Sequence, residues 1–447
     1  MALTLTWPTT NGATSGIESG ITYTDVFIPS SIDDTGATDV SADLHTWLSN
    51  TANVPNGADA THHTRVRPNS PTSVYLIDGD ITAESGFHIK GSTGTPRAHI
   101  TLWGEGHWSS YPITQLTDAD STQKADVRAA YAAWDKDTAW TGGAQIIRRG
   151  SGTSGFNALF FFENADDIQV CGWDIDGENP NIGVTGNTGQ LVTGIPYENV
   201  CAAQIRAGCQ DVRIHDNRIM RWRGFAILEN NLGSGGVSPT TTLYRNYIEG
   251  AEMGVSPVDT AGHESYHNVI AYTSLIAYDL EAESTSNQIT DVNIHHNIFD
   301  KWGIADWYQT CWWVAGNSAG DALSVHLDNI TITDNYVVEG QRRGALTNGA
   351  SGRGGLAIRA NKTNPKDAWV ISRNYTDWAD EQTSGSGKSY NLWATGTDFT
   401  YTDNEIPMTG TLEGSPTVEE ALFNWRRDSD NVLDRPTGTV TISGNAT

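Results

Sequence analysis

Five carboxylates sit where chemistry could be done. Glu229 closes GFAILE, Asp259 closes GVSPVD, Asp279 and Glu281 end LIAYDLE, and Asp306 closes GIAD. Acids at equivalent places in successive copies of one structural unit stand side by side. Neighbouring strands lie ~4.7–4.9 Å apart. Glycoside hydrolysis needs two carboxylates about 5–5.5 Å apart for retention, or about 6.5–9.5 Å for inversion. If two of the five share a proton, one stays protonated and serves as general acid. These five residues are the expected catalytic column. The plain alternative is a set of solvated turn acids, in a chain that holds 53 Asp and Glu residues.

A second constellation lies in KWGIADWYQTCWW (301–313), where Trp302, Trp307, Trp312 and Trp313 are joined by Tyr308. Indoles present flat apolar faces with a polar N–H at the edge, a surface on which a pyranose ring can stack. These five aromatic residues are the expected substrate platform. A subunit interface favours the same anchors, and core packing would absorb one or two of them. Arg206, Arg213, Arg218, Arg221 and Arg223 form a basic cluster. They could bind an anionic sugar, but pairing with nearby acids is the expected role.

Other chemistries find little support. His295 and His296 are neighbours on an expected strand and should point to opposite faces. His62 and His63 fall in an apparent polar loop, and His215, His263 and His267 are isolated. No HExxH or Cys/His zinc spacing occurs, so no metal ligand is assigned. WDIDGEN (173–179) opens like a calcium loop but lacks the remaining ligands of an EF-hand, and reads better as a strand with Ile175 inward. No GxSxG elbow is present. Cys171, Cys201, Cys209 and Cys311 form no CxxC pair and are expected as small buried hydrophobes.

The elements that must position these residues recur. VRIHDNRI (212–219), TLYRNYI (242–248), SYHNVI (265–270), DVNIHHNIF (291–299), ITITDNYV (330–337), WVISRNYT (369–376) and FTYTDNEI (399–406) each carry an apolar/polar segment, an Asn and a second apolar segment. The asparagines are Asn217, Asn246, Asn268, Asn297, Asn335, Asn374 and Asn404, spaced by 29, 22, 29, 38, 39 and 30 residues. Val212 and Ile214, Val292 and Ile294, and Ile330 and Ile332 alternate with polar neighbours, which is a strand period. One strand pair per repeat, bent at Asn, describes the coils of a parallel β-helix. The Asn is expected to take left-handed backbone angles and to stack as a ladder. Loops of uneven length then leave one corner of each coil. A β-sandwich with similar turns is the competing architecture.

Length and charge narrow the partners. The 447 residues exceed one ordinary domain but suit one elongated solenoid. A net charge of −26 argues against nucleic acid and against an anionic membrane surface. No run of 18 apolar residues suggests membrane insertion. MALTLTWPTTNGATSG has no basic or apolar signal region, so synthesis in a cytoplasm without a signal peptide is expected. Residues 1–32 read as an arm or adaptor and 33–410 as the coils. In the next stretch, Asp39 caps a helix whose Val40, Leu44, Trp47 and Leu48 form one apolar stripe. Residues 107–157 interrupt the strand pattern, with a helix over 121–134 carrying Val127, Tyr131 and Trp134 on one face. This insertion is a lateral decoration or one wall of a groove. Residues 411–447 read as a cap, with Pro416 and a Thr417/Glu420 capping box opening a helix and TVTISG forming a last strand.

DDTGATDVSADLHTWL, followed by YLIDGDIT and ITLWGEG, resembles the opening segment of pectate-lyase-like right-handed parallel β-helix proteins, and is similar to bacteriophage tailspikes and minor tail proteins. There the amphipathic helix plugs an end that would otherwise expose an apolar lumen and free strand edges. The resemblance implies an all-β solenoid in a virion tail. It implies contact with a host cell-surface glycan and with other phage tail proteins, depolymerisation of that glycan, and a homotrimer. It implies no obligatory cofactor, although many pectate lyases use calcium. A stand-alone polysaccharide lyase or glycoside hydrolase, and a non-catalytic structural tail component, are the rival functions.

Overall fold

In the computed structural model the described residues are 18–78, 85–112, 121–149, 157–178, 200–222, 224–230, 237–274, 276–282, 288–301, 310–316, 326–337, 354–359, 369–376, 390–393, 399–402, 404 and 440–443. Among them the chain winds through three long parallel sheets of twelve, ten and nine strands, here sheets 1, 2 and 3. One coil shows the rule. Gln210–His215 lies in sheet 1, Arg218–Met220 in sheet 2 and Phe225–Glu229 in sheet 3, and Thr241–Tyr244 then returns to sheet 1 beside the first strand. This is a right-handed parallel β-helix. A sandwich would need antiparallel pairs, and every strand pair of these three sheets is parallel.

The alternation read from the sequence is what fills the lumen. Val66, Leu102, Val170, Ile214 and Leu243 occupy one register of sheet 1 and are buried. Ile146, Ile175, Ile219, Ile248 and Ile270 do the same in sheet 2. Each such side chain contributes about 1.5–3 kcal/mol on burial. All four cysteines are buried and free.

Sheets 1 and 2 meet at a two-residue bend whose second residue is the repeating Asn. All seven asparagines are buried and joined in series. Each Nδ2 donates to the next Oδ1, as from Asn268 to Asn297 (3.0 Å), and that Oδ1 also accepts the Asn268 backbone N–H (3.0 Å). The left-handed residue is the one before the Asn: Asp216, Arg245, His267, His296, Asp334 and Arg373 all have φ between 52° and 56°. The expectation that the Asn itself takes that conformation is corrected. One residue turns the chain and the next holds the turn. The bend itself is constant at two residues, so the uneven spacing comes from the intervals between the other strands: after Asn297, Ile298–Asp300 is followed by Thr310–Gly316 and that by His326–Thr333.

Helix α1, Ser41–Ser49, closes the first coil with Val40, Leu44 and Leu48 buried, as expected. Asp39 sits one residue outside the N-cap and takes the Ser41 N–H at 3.1 Å. The solenoid also reaches into the expected arm, because Thr22–Phe27 pairs in parallel with His62–Arg67. At the other end Val440–Ser443 pairs with Phe399–Thr402 and continues sheet 1. The expected helix after Pro416 lies outside the described residues.

Candidate functional site

The insertion builds a wall. Helix α2, Ser121–Ala133, and the short helix α3, Lys136–Ala139, lie over the outer face of sheet 2. Val127, Tyr131, Trp134, Trp108 and Tyr111 pack there against Tyr247, Val269 and Ile298. Polar anchors fix the seat. Trp108 Nε1 donates to the Arg245 carbonyl (3.1 Å), Tyr111 Oη donates to the Asn246 carbonyl (2.6 Å) and accepts from Val269 N (3.0 Å), and Tyr131 Oη donates to Asp300 (2.9 Å). Between this wall and sheet 2 opens a cleft of about 350 Å³, lined by Lys136, Asp137, Gln145, Asp174, Asp176, Arg218, Met220, Arg221 and Glu249. Of the two expected roles for the insertion, the groove wall is the one observed.

Registers explain why these residues share the cleft. Asp174 pairs with Arg218, and Asp176 with Met220, on adjacent strands of sheet 2. The pairing of Ile219 with Ile248 carries Met220 opposite Glu249. Asp176 and Glu249 thus flank Met220, with backbones about 9.5 Å apart, two strand spacings. The carboxylates of the cleft are tied to cations. Arg218 grips Asp174 through Nε and Nη2 (2.9 and 3.0 Å) and reaches Asp137 through Nη1 (3.0 Å). Arg221 holds Asp176, Lys136 lies 3.7 Å from Glu249, and Tyr247 Oη donates to Glu249 (2.7 Å). Burial raises the Asp174 carboxyl, with the Arg218 guanidinium opposing it. Arg213 likewise pairs with Glu18 and Asp167, so the three arginines 213, 218 and 221 meet acids as expected. Arg223 lies outside the described residues.

The expected catalytic column does not assemble. Glu229 pairs in register with Pro257, one place beyond the pairing of Leu228 with Ser256. The pairing of Val255 with Tyr278 puts Asp279 opposite Ser256. Glu229 and Asp279 are therefore one register apart, and their side chains leave opposite faces of sheet 3. Glu229 points into the lumen, fully buried, where it accepts from Thr241 Oγ1 (2.7 Å) and faces His263 Nδ1 (2.6 Å). His263 in turn meets the Tyr278 hydroxyl. A buried cluster of that kind is out of reach of a polymer. Asp259 follows the strand, is fully buried and accepts from Ser238 Oγ (2.7 Å). Glu281 keeps a backbone place in Ile276–Ala282, and Asp306 lies outside the described residues. Trp302, Trp307 and Tyr308 also lie outside them. Trp312 and Trp313 lie on the strand Thr310–Gly316, in register with Tyr278 and Asp279.

Three findings had no local signal. Glu252, in the corner just after Glu249, is pushed up to about 8 by desolvation alone, so it carries its proton at neutral pH. His63 lies on a strand and is buried, not in a polar loop. His295 and His296 do meet, Nδ1 to Nδ1 at 2.8 Å, because the left-handed turn at His296 rotates its ring toward its neighbour.

No family model and no curated protein matches the chain. Solved structures with a similar course include a family 28 exopolygalacturonase of Yersinia enterocolitica, at 9% identity, covering 95% of this chain and 79% of that one with a TM-score of 0.47. The surface protein and adhesin PfbA of Streptococcus pneumoniae matches at 11% identity, 95% and 97% coverage and a TM-score of 0.47. ORF18 of Geobacillus virus E2 matches at 11% identity over 94% of this chain and 60% of that chain, with a TM-score of 0.35. The chain is a parallel β-helix protein. Likeness at these identities says nothing about its chemistry, which rests on the cleft.

Proposed function

We propose that the protein is a bacteriophage tail component that binds a cell-surface polysaccharide of its bacterial host in the cleft between the insertion and sheet 2. The observation that supports binding is the cleft's composition. Carboxylates and guanidinium groups alternate along its floor, fixed by one another, and offer a saccharide a rigid set of donors and acceptors. Carboxylates held by arginine are poor proton carriers, so the cleft reads as a recognition surface ahead of a hydrolytic one. The tail assignment rests on the resemblance of residues 33–106 to tailspike opening segments, and the same resemblance brings a homotrimer and neighbouring tail proteins as partners.

Depolymerisation is the second reading, and it rests on the same resemblance of residues 33–106 to tailspike opening segments. The test is incubation of purified protein with capsular polysaccharide or lipopolysaccharide O-chains of candidate hosts. Retention on immobilised glycan without chain shortening supports binding. New reducing ends without ultraviolet absorbance indicate a hydrolase, and with absorbance a lyase. Neither retention nor cleavage on the glycan of a host that the phage infects would leave a structural tail component. Mass spectrometry of purified virions and light scattering of the free protein test the location and the trimer.

A further inference from the structure

Near the capped end, three side chains from three successive strands of sheet 1 converge on the outer face. His63 comes from His62–Arg67, His99 from Arg97–Trp103 and Asp167 from Ala165–Cys171. His63 Nε2 and His99 Nδ1 both lie against one carboxylate oxygen, Asp167 Oδ2, at 2.9 and 2.8 Å. One imidazole nitrogen from each ring and that oxygen all fall within 4.8 Å of one another. We propose that His63, His99 and Asp167 form a binding site for a first-row divalent transition-metal ion such as zinc, held by two imidazoles and one carboxylate with a further position open to water.

Each ligand is already oriented from behind. The Nδ1 of His63 meets Thr101 Oγ1 at 3.0 Å, which leaves Nε2 as the presented atom. The far oxygen of Asp167 is held by the Arg213 guanidinium, leaving Oδ2 to face the rings. Metal-binding histidines and carboxylates are held in this way by a second layer of hydrogen bonds. His63 is buried, His99 is about one fifth exposed, and Asp167 is buried, so an ion has an approach from the His99 side. His99 and Asp167 both have left-handed backbones, φ 55° and 52°, which turns their side chains toward the shared point.

Charge favours a cation there. Arg213 is in contact with Asp167, Glu18 and Asp211, so three carboxylates surround one guanidinium and the formal charge is −2. A divalent ion bound at ~2.0–2.2 Å sets its ligand atoms about 3.3 Å apart. Asp167 Oδ2 withdraws by about half an ångström and the two imidazole nitrogens, now within 4.8 Å of each other, settle to the same spacing, as the ion replaces the two shared protons. The two nitrogens select against calcium, which takes 6–8 oxygen ligands. Such an ion would clip three coils together beneath the first strand, where Tyr23 packs edge-on to His63 at 6.2 Å.

The test uses full-length protein stripped with chelator, then gel-filtered after addition of zinc chloride or calcium chloride. The expected result is about one zinc per chain by elemental analysis, a thermal midpoint that rises with zinc and not with calcium, and visible absorption bands when cobalt(II) is substituted. His99→Asn, chosen because Asn tolerates the left-handed backbone, should lower zinc affinity about 100-fold while keeping the wild-type circular dichroism spectrum. Absence of bound zinc in folded wild type would overturn the proposal. So would unchanged binding in His99→Asn, which would move the zinc to His62 with Asp59 or to His295 with His296.

Discussion

Replacing Asn297 by Ala removes the middle rung of the asparagine ladder, and the cost can be counted. The Asn297 Oδ1 accepts the Asn268 backbone N–H and its Nδ2, both at 3.0 Å. Its own Nδ2 donates to the Ser265 carbonyl (2.9 Å), the His295 carbonyl (3.0 Å) and Asn335 Oδ1 (3.1 Å). After truncation Asn335 Oδ1 keeps the Asn297 N–H (3.0 Å), and Asn268 Nδ2 keeps the Leu243 carbonyl (3.0 Å). The Asn268 backbone N–H is left with no acceptor in a buried corner, and two carbonyls each lose a donor. An orphaned buried donor costs ~1–3 kcal/mol and each of the two lost bonds ~0.5–1.5 kcal/mol, so the sum is roughly 2–6 kcal/mol. Guanidinium unfolding followed by tryptophan fluorescence should show an earlier midpoint with an unchanged slope, and unfolding rates should rise in parallel. Asn297→Asp sharpens the test. It keeps the acceptor but buries a carboxylate against two carbonyl oxygens, so it should be worse than Ala at neutral pH and recover as the acid protonates. A loss below about 1 kcal/mol for Asn297→Ala would refute the claim that the ladder, and not the lumen alone, holds the coils in register.

Three further outcomes follow. Tyr111→Phe strips the hydroxyl that bridges the Asn246 carbonyl and Val269 N–H, and should cost ~1–3 kcal/mol; faster proteolytic cutting within 107–141 would show the cleft wall loosening. Desolvation pushes His267 down to about 3, and His296 is likewise held down to about 4. The unfolded chain then binds up to two more protons than the fold as pH falls from the ordinary histidine value near 6.5, and stability drops across that window to about pH 4. His267→Gln should flatten the slope by about one proton in denaturant titrations at stepped pH. Glu252 works the other way: its folded carboxyl is raised to about 8, so its contribution is present below its unfolded value and is lost as pH rises to about 8. Glu252→Gln should therefore be relatively more stable than wild type at pH 8 than at pH 5, and equal differences at both pH values would contradict the desolvated, protonated acid.

The fold was legible because its signal is local and repeated. Val292 and Ile294 alternate within one strand, and seven asparagines mark one bend, so neither depends on distant pairing. Which of two bend residues takes the left-handed conformation is a finer matter, and the tolerant residue type pointed to the wrong one. The acids failed for a different reason. Corners of unequal length hide the register, and a shift of one residue separates the lumen-facing Glu229 from Asp279. The cleft was half visible: the insertion announced itself by breaking the strand period, while the meeting of Asp137 with Arg218, 81 residues apart, depends on where α3 lands. His63 and Asp167 lie 104 residues apart on different coils, and no motif spacing could have joined them.

The most direct test of the account is glycan retention by a cleft variant that should fold normally. Lys136 and Asp137 stand on the insertion wall, and the Asp137 side chain is well exposed. The double substitution Lys136→Ala with Asp137→Ala changes the cleft without touching the lumen or the ladder. Affinity electrophoresis through gels containing host capsular polysaccharide or O-chain would compare it with wild type. Wild type should be clearly retarded and the variant at least tenfold less, at equal thermal stability. Equal retardation of both proteins would place the glycan elsewhere and contradict the cleft as the binding site.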